Sequence, residues 1–187
     1  MRVFIAVDLP RDIRKALKDL QQALRPFAES ARWVDPDSIH ITLKFIGEVS
    51  ETGVEEIHGA LLGLTHEPFV ITTRGVGFFP GMRSPRIFWA GLEAAGLHEL
   101  AEDIENRMAR IGYEREKRPF QPHVTLARAR DTRIAASLIT AASEYSQHVF
   151  GAFTVDRLFL FQSTLKPTGA VYNKRKEYRL ERDLETR

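Results

Sequence analysis

The chain has 187 residues, 43% hydrophobic and 28% charged, enough to bury a substantial core as one domain or two closely packed lobes. Its 27 Lys and Arg against 25 Asp and Glu leave a formal net charge of +2, which excludes a broad nonspecific nucleic-acid field, so any contact with a polyanion has to be local. The absence of cysteine excludes disulfides and thiol catalysis, and no run approaches the ~18 apolar residues of a membrane span.

Val3 to Val7 reads as a buried strand, and Pro10 opens a helix whose stripe is Ile13, Leu17, Leu20 and Leu24, with Pro26 marking its end. Trp33 and Val34 suggest a short strand, Asp35 to Ser38 a turn, and His40 to Ile46 a longer strand. A helix with the stripe Val54, Ile57, Leu61 and Leu64 follows, then a strand over Phe69 to Phe79, a Pro80–Gly81 turn and a strand over Arg86 to Leu92. Leu97, Leu100, Ile104, Met108 and Ile111 define the longest helix, closed by Gly112. A strand from His123, a helix over Arg133 to Tyr145 and strands over Phe153 to Phe161 and Val171 to Leu180 complete the chain. The opening ten residues lack the long apolar region of a signal peptide, so the protein is expected in the cytoplasm, with no membrane contact.

Two strands in this series carry nearly the same four residues, His40-Ile41-Thr42-Leu43 and His123-Val124-Thr125-Leu126. A strand sends residues i and i+2 to one face, so each histidine shares a face with its threonine, while Ile41, Leu43, Val124 and Leu126 point into a core. One such tetrapeptide is weak evidence, because Leu and Thr are ordinary strand residues. Its repetition makes a paired site the better reading. A histidine has an unperturbed pKa near ~6.5, so one of a pair can begin as base and the other as acid. Phosphodiester hydrolysis needs both, on opposite sides of phosphorus. Hydroxyls from Thr42 and Thr125 and a guanidinium would hold the non-bridging oxygens. Arg128 is the nearest guanidinium, but its strand parity is opposite to that of His123, so it reaches the cleft only if the strand twists or ends before it.

Other chemistries fit less well. Threonine is a poor zinc ligand, there is no H-E-x-x-H pair, and Asp35 and Asp37 flank Pro36 in a turn, so no metal and no cofactor is expected. A G-x-S-x-G elbow and a Walker-type phosphate loop are both missing. His58, His66, His98 and His148 have no repeated partner and read as structural or surface residues.

The paired H-x-T-L motifs resemble those of the two-histidine phosphoesterase superfamily. The opening Arg2 to Asp8, the run His40 to Gly47, the run Pro122 to Arg128 and the tail Ser163 to Tyr172 extend the likeness across the chain, to the bacterial and archaeal RNA 2′,3′-cyclic phosphodiesterase branch. The resemblance implies a metal-independent hydrolase that opens a terminal 2′,3′-cyclic phosphate to a 2′-phosphomonoester. It matches His40 to the proton donor, His123 to the proton acceptor, and Thr42, Thr125 and Arg128 to phosphate-binding positions. The repeat alone is symmetric and does not say which imidazole starts protonated. The alternatives are 2′-5′ RNA ligation at the same site, with a 5′ hydroxyl replacing water, and a noncatalytic module that clamps RNA ends.

The expected fold is α+β and bilobal, with two pseudo-symmetric lobes facing each other across a cleft. The resemblance adds an antiparallel sheet in each lobe and a return of the last strands to the N-terminal lobe, through a turn at Pro167 to Gly169, making residues 1–187 one domain. The expected partners are an RNA with a 2′,3′-cyclic phosphate end or a small cyclic nucleotide, bound by a monomer. Trp33, Phe45, Phe78, Phe79 and Phe120 are aromatic candidates for base stacking, although each also suits a core. Two basic runs, Arg115, Lys117 and Arg118, then Lys174, Arg175 and Lys176, are candidates for backbone contacts, and Tyr172 for a substrate hydrogen bond.

Overall fold

Val3, Phe4, Ile5, Ala6 and Val7 are all buried, and a strand covered on both faces belongs in the interior of a sheet. The computed structural model, which describes residues 1–130, 132–166 and 169–181, places it there. The strand is β1 (Arg2–Asp8), followed by helix α1 (Arg11–Leu24), strands β2 (Arg32–Trp33) and β3 (His40–Glu48), and helix α2 (Glu51–Leu61). Strands β4 (Phe69–Phe79) and β5 (Ile87–Glu93), helix α3 (Ala95–Arg110), strand β6 (His123–Arg128) and helix α4 (Ala136–Ala142) come next. Strands β7 (Val149–Val155), β8 (Arg157–Lys166) and β9 (Gly169–Arg179) close the series. One sheet has the order β3-β1-β8-β9 and the other β2-β6-β5-β4-β7, with all recorded pairings antiparallel. The fold is therefore α+β with two antiparallel sheets.

The two sheets share their helices crosswise. Helix α1 leaves β1 of the first sheet yet packs on β7 of the second and on α4, whereas α3, which precedes β6, packs on β3 and α2. One continuous apolar core results, running from Val3, Ile5 and Ile41 through Leu17, Leu20 and Ile104 to Phe88, Val124 and Leu126. The motif strands β3 and β6 approach each other where the sheets meet. On its other face β1 contributes Phe4 and Ala6 to a smaller cluster with Phe159 and Phe161, against which Tyr172 packs.

Several expected boundaries move. The single strand expected over Phe153–Phe161 is two strands in different sheets, since β7 pairs with β4 and β8 with β1, and Asp156 alone separates them. Only Ala136–Ala142 of the expected Arg133–Tyr145 helix is α-helical; Ile134 is held outside it by donating its N–H to the Pro85 carbonyl, and Ser143–Tyr145 forms a 3₁₀ turn. Helix α2 stops at Leu61 before a left-handed Gly63 (φ +71°), which turns Leu64 back into the core without a further helical turn. Gly112, also left-handed (φ +93°), follows α3 as expected. Of the expected Pro167–Gly169 turn, Pro167 and Thr168 lie outside the described residues. Among the described residues no helix is long and apolar enough to cross a membrane.

Candidate active site

Each motif strand obeys the period of two only as far as its leucine. Ile41, Leu43, Val124 and Leu126 are buried, leaving His40 and Thr42 on the open face of β3, and His123 and Thr125 on that of β6. Both strands carry an extra residue at that point, and β3 a second one at Ile46. On β1, Ile5 and Ala6 pair with Lys44 and Thr42, so Leu43 is unmatched; on β5, Phe88 and Trp89 pair with Ala127 and Thr125, so Leu126 is unmatched. Such a bulge reverses the alternation beyond it. Leu126 and Ala127 are consecutively buried, and Arg128 emerges on the face of His123 and Thr125. Neither a twist nor an early strand end is what brings Arg128 to the cleft, because β6 includes it. In the first motif the same switch buries Lys44, whose Nζ donates to Glu105 at 2.8 and 2.9 Å and to the Glu114 carbonyl, and turns Phe45 outward.

The imidazoles are set alike. Nδ1 of His40 lies 2.8 Å from the Ser38 carbonyl and Nδ1 of His123 lies 2.6 Å from the Gln121 carbonyl. A carbonyl only accepts, so Nδ1–H donates in both rings, and each Nε2 is left with its lone pair free when the ring is neutral. Each ring also rests on aromatic neighbours. His40 lies 4.6 Å from Phe4 and 5.0 Å from Tyr172, the latter edge-on, while His123 meets Phe79 edge-on at 4.9 Å and Trp89 at 6.5 Å. Trp89 occupies its place because Gly77 has no side chain; a Cβ there would sit 2.2 Å from the indole Cζ2.

Charge ties the two motifs together. Burial lowers the pKa of His40, opposed by the hydrogen bond to Ser38; Arg14 and Arg128 lower it further and Asp8 opposes them. Burial likewise lowers that of His123, opposed by the bond to Gln121, and Arg128 again adds to the lowering. One guanidinium therefore acts on both imidazoles. Among the described residues no carboxylate forms an ion pair with Arg128, and neither threonine hydroxyl is held by a protein partner. Beside His40 a cavity of about 320 Å³ is lined by Asp8, Arg14, Ser38, Tyr172, Asn173 and Lys174. Asp8 stands opposite His40 in the β1–β3 register and is paired with Arg14 and Lys174. Burial pushes its carboxyl pKa up, but the two cations outweigh this and lower it.

A model described as LigT like Phosphoesterase matches residues 7–89 and 92–172. This chain belongs to the LigT-like phosphoesterase family. It is 35% identical over 173 residues to the RNA 2′,3′-cyclic phosphodiesterase of Archaeoglobus fulgidus, spanning 92% of this chain and 96% of that one. A crystal structure of a Thermus thermophilus protein superposes with a TM-score of 0.83 at 31% identity, covering 98% of this chain and 100% of that one. LigT of Escherichia coli complexed with 3′-AMP does so with a TM-score of 0.77 at 27% identity, over 96% and 97%.

The other histidines of this LigT-like chain stand apart from the motifs. His58 bonds Tyr178, His66 packs on Phe69, His98 on Phe120, and His148 between Tyr145 and Phe150. No group of three or more His, Asp or Glu able to hold a metal occurs among the described residues. Trp33 and Phe78 pack against Phe88, and Phe120 is partly buried, whereas Phe45 is 68% exposed. Arg115 is paired with Glu102, Lys117 with Glu114, Arg175 with Glu51 and Lys176 with Glu55, so these cations are largely neutralised at the surface. Sequence reading missed Gln21, which is buried on the apolar stripe of α1 one turn beyond Leu17; a polar residue at a stripe position was the available sign.

Two outcomes follow. Gly77→Ala forces the indole of Trp89 from beneath the site and costs about 1–3 kcal/mol in urea unfolding, as overpacking does. Because the positive charge of Arg128 disfavours both imidazolium forms, Arg128→Ala raises both histidine pKa values, which histidine-resolved NMR titration will show as upward shifts at His40 and His123 together.

Proposed function

We propose that the protein is an RNA 2′,3′-cyclic phosphodiesterase that works by paired imidazole acid–base catalysis without a metal. The observation that carries this reading is the pair of alike-oriented imidazoles on the open faces of two motif strands in contact, with Arg128 brought by the bulge to the face of His123 and without an ion-pair partner among the described residues. A cation with no neutralising carboxylate among the described residues, on the same strand face as a hydroxyl and an imidazole with a free Nε2, suits an anion.

In the proposed reaction, His123 Nε2 takes a proton from water as the water oxygen bonds to phosphorus. The bond from phosphorus to O3′ breaks on the opposite side, and His40 Nε2 delivers its proton to O3′, leaving a 2′-phosphomonoester. Arg128, Thr42 and Thr125 bind the non-bridging oxygens as their charge grows. The acid role of His40 rests on the family likeness, since the charge of Arg14 beside His40 outweighs that of Asp8. The family membership and the name of the Archaeoglobus fulgidus relative support the substrate class, as does the 3′-AMP held by the Escherichia coli relative.

In-line attack from the His123 side puts the ribose that carries O3′ over the β3 lobe. Phe45 lies on the open face of that lobe, with Phe4 between it and His40, 6.1 Å and 4.6 Å from the two rings. Its exposed ring suits stacking of the substrate base, so the substrate is a nucleoside cyclic phosphate rather than a simple cyclic diester.

With a 2′,3′-cyclic nucleotide as substrate, His40→Ala and His123→Ala each lower turnover by about 10²- to 10⁴-fold in phosphorus NMR assays, while chelator leaves the wild type active. Full activity in both variants, or loss with chelator, contradicts the mechanism. Phe45→Ala raises KM about 5-fold or more, the effect of losing one base stack, with a smaller change in kcat.

A further inference from the structure

The bulge that delivers Arg128 to the cleft is held from the far side of the sheet by a residue that never meets the site. Gln21 is 1% exposed and projects from α1. Its Nε2 donates to the Leu126 carbonyl at 2.9 Å and to the Val34 carbonyl at 2.8 Å. Leu126 is the unmatched residue of the bulge, and its carbonyl also accepts the Val34 N–H at 2.9 Å. One side-chain amide thus ties together the helix, the end of the two-residue strand β2 and the point where β6 changes parity.

The arrangement is poorly explained by stability alone. Gln21 Oε1 is buried without a hydrogen-bond partner, a cost that an apolar side chain of equal length would avoid. Both Nε2 hydrogens, in contrast, are committed to backbone beside the bulge. In an unbulged β6 Arg128 would share the face of Val124 and Leu126 and point into the core. The two faces of β6 are therefore coupled: the contact to Gln21 lies on the helix side and its effect is read on the cleft side.

We propose that Gln21 is a positioning residue for phosphate binding, acting through Leu126 and Val34 to fix the bulge and aim Arg128 at the phosphate. This rests on the phosphodiesterase reading above and adds to it a determinant outside the cleft. Gln21 does not touch substrate.

The test is a double-mutant cycle with Gln21→Met, which keeps side-chain length and removes the donors, combined with Arg128→Ala. Activity is read on a 2′,3′-cyclic nucleotide, and inorganic phosphate serves as a competitive inhibitor. The expected result is that Gln21→Met lowers kcat/KM by ~10-fold, as small misplacements of a binding group do, weakens phosphate inhibition, and has little further effect once Arg128 is Ala. An equal loss in both backgrounds, or unchanged kcat/KM and phosphate inhibition, overturns it. Unfolding midpoints identify any variant that fails to fold, in which case Gln21→Asn, whose shorter amide cannot span both carbonyls, replaces Met in the same cycle. Wild-type protein without hydrolytic activity would refute the phosphodiesterase reading, whereas an active wild type with uncoupled variants refutes the role of Gln21 alone.

Discussion

A strand that must show residues one, three and six of a motif to the same side cannot be regular. This constraint governs β6: His123 and Thr125 are in phase, but Arg128 is not, and only the unmatched Leu126 brings it round. The energetic work falls on the buried side, where Leu126 and Ala127 enter the core in succession and the freed backbone groups find Val34 and Gln21 as partners. The first motif repeats the device at Leu43 with different consequences. There the sixth position carries Phe45, and the inward-turned Lys44 is stabilised by Glu105. Duplicated backbone geometry thus offers a guanidinium on one lobe and an exposed ring on the other.

The histidines depend on what lies beneath and behind them. Each is oriented by a carbonyl two residues earlier and sits against aromatic side chains, Phe4 and Tyr172 for one, Phe79 and Trp89 for the other. Desolvation by these surroundings and the charge of Arg128 both disfavour the imidazolium form. In the proposed reaction a phosphodiester anion beside the rings would oppose that effect, so the acid would hold its proton best with substrate bound. The pairing of Asp8 with His40 across β1 and β3 gives the two rings unequal settings within an otherwise repeated frame.

How much of this could be read from the residues depended on whether the information was local. The two H-x-T-L strands and the apolar stripes of α1, α2 and α3 follow from alternation and helical period, which are set by neighbouring positions. The bulges do not, since inserting one residue leaves no mark in composition; that is why the parity of Arg128 looked unfavourable. The division of Phe153–Phe161 between two sheets was hidden for a similar reason, because strand character does not name a strand's partner. Gln21 was visible only as a polar interruption of an apolar stripe. Its meaning lies in a contact 105 positions away in the chain.

The proposed mechanism requires one phosphate to be shared by both imidazoles and Arg128. Its most direct test is a titration of the ¹⁵N-imidazole-labelled protein with inorganic phosphate, following Nε2 of His40 and His123 by NMR. Both resonances will move along one binding curve at a stoichiometry of one, and neither will move in Arg128→Ala at the same phosphate concentration. Movement of one ring alone, or of the two rings with separate affinities, would contradict it.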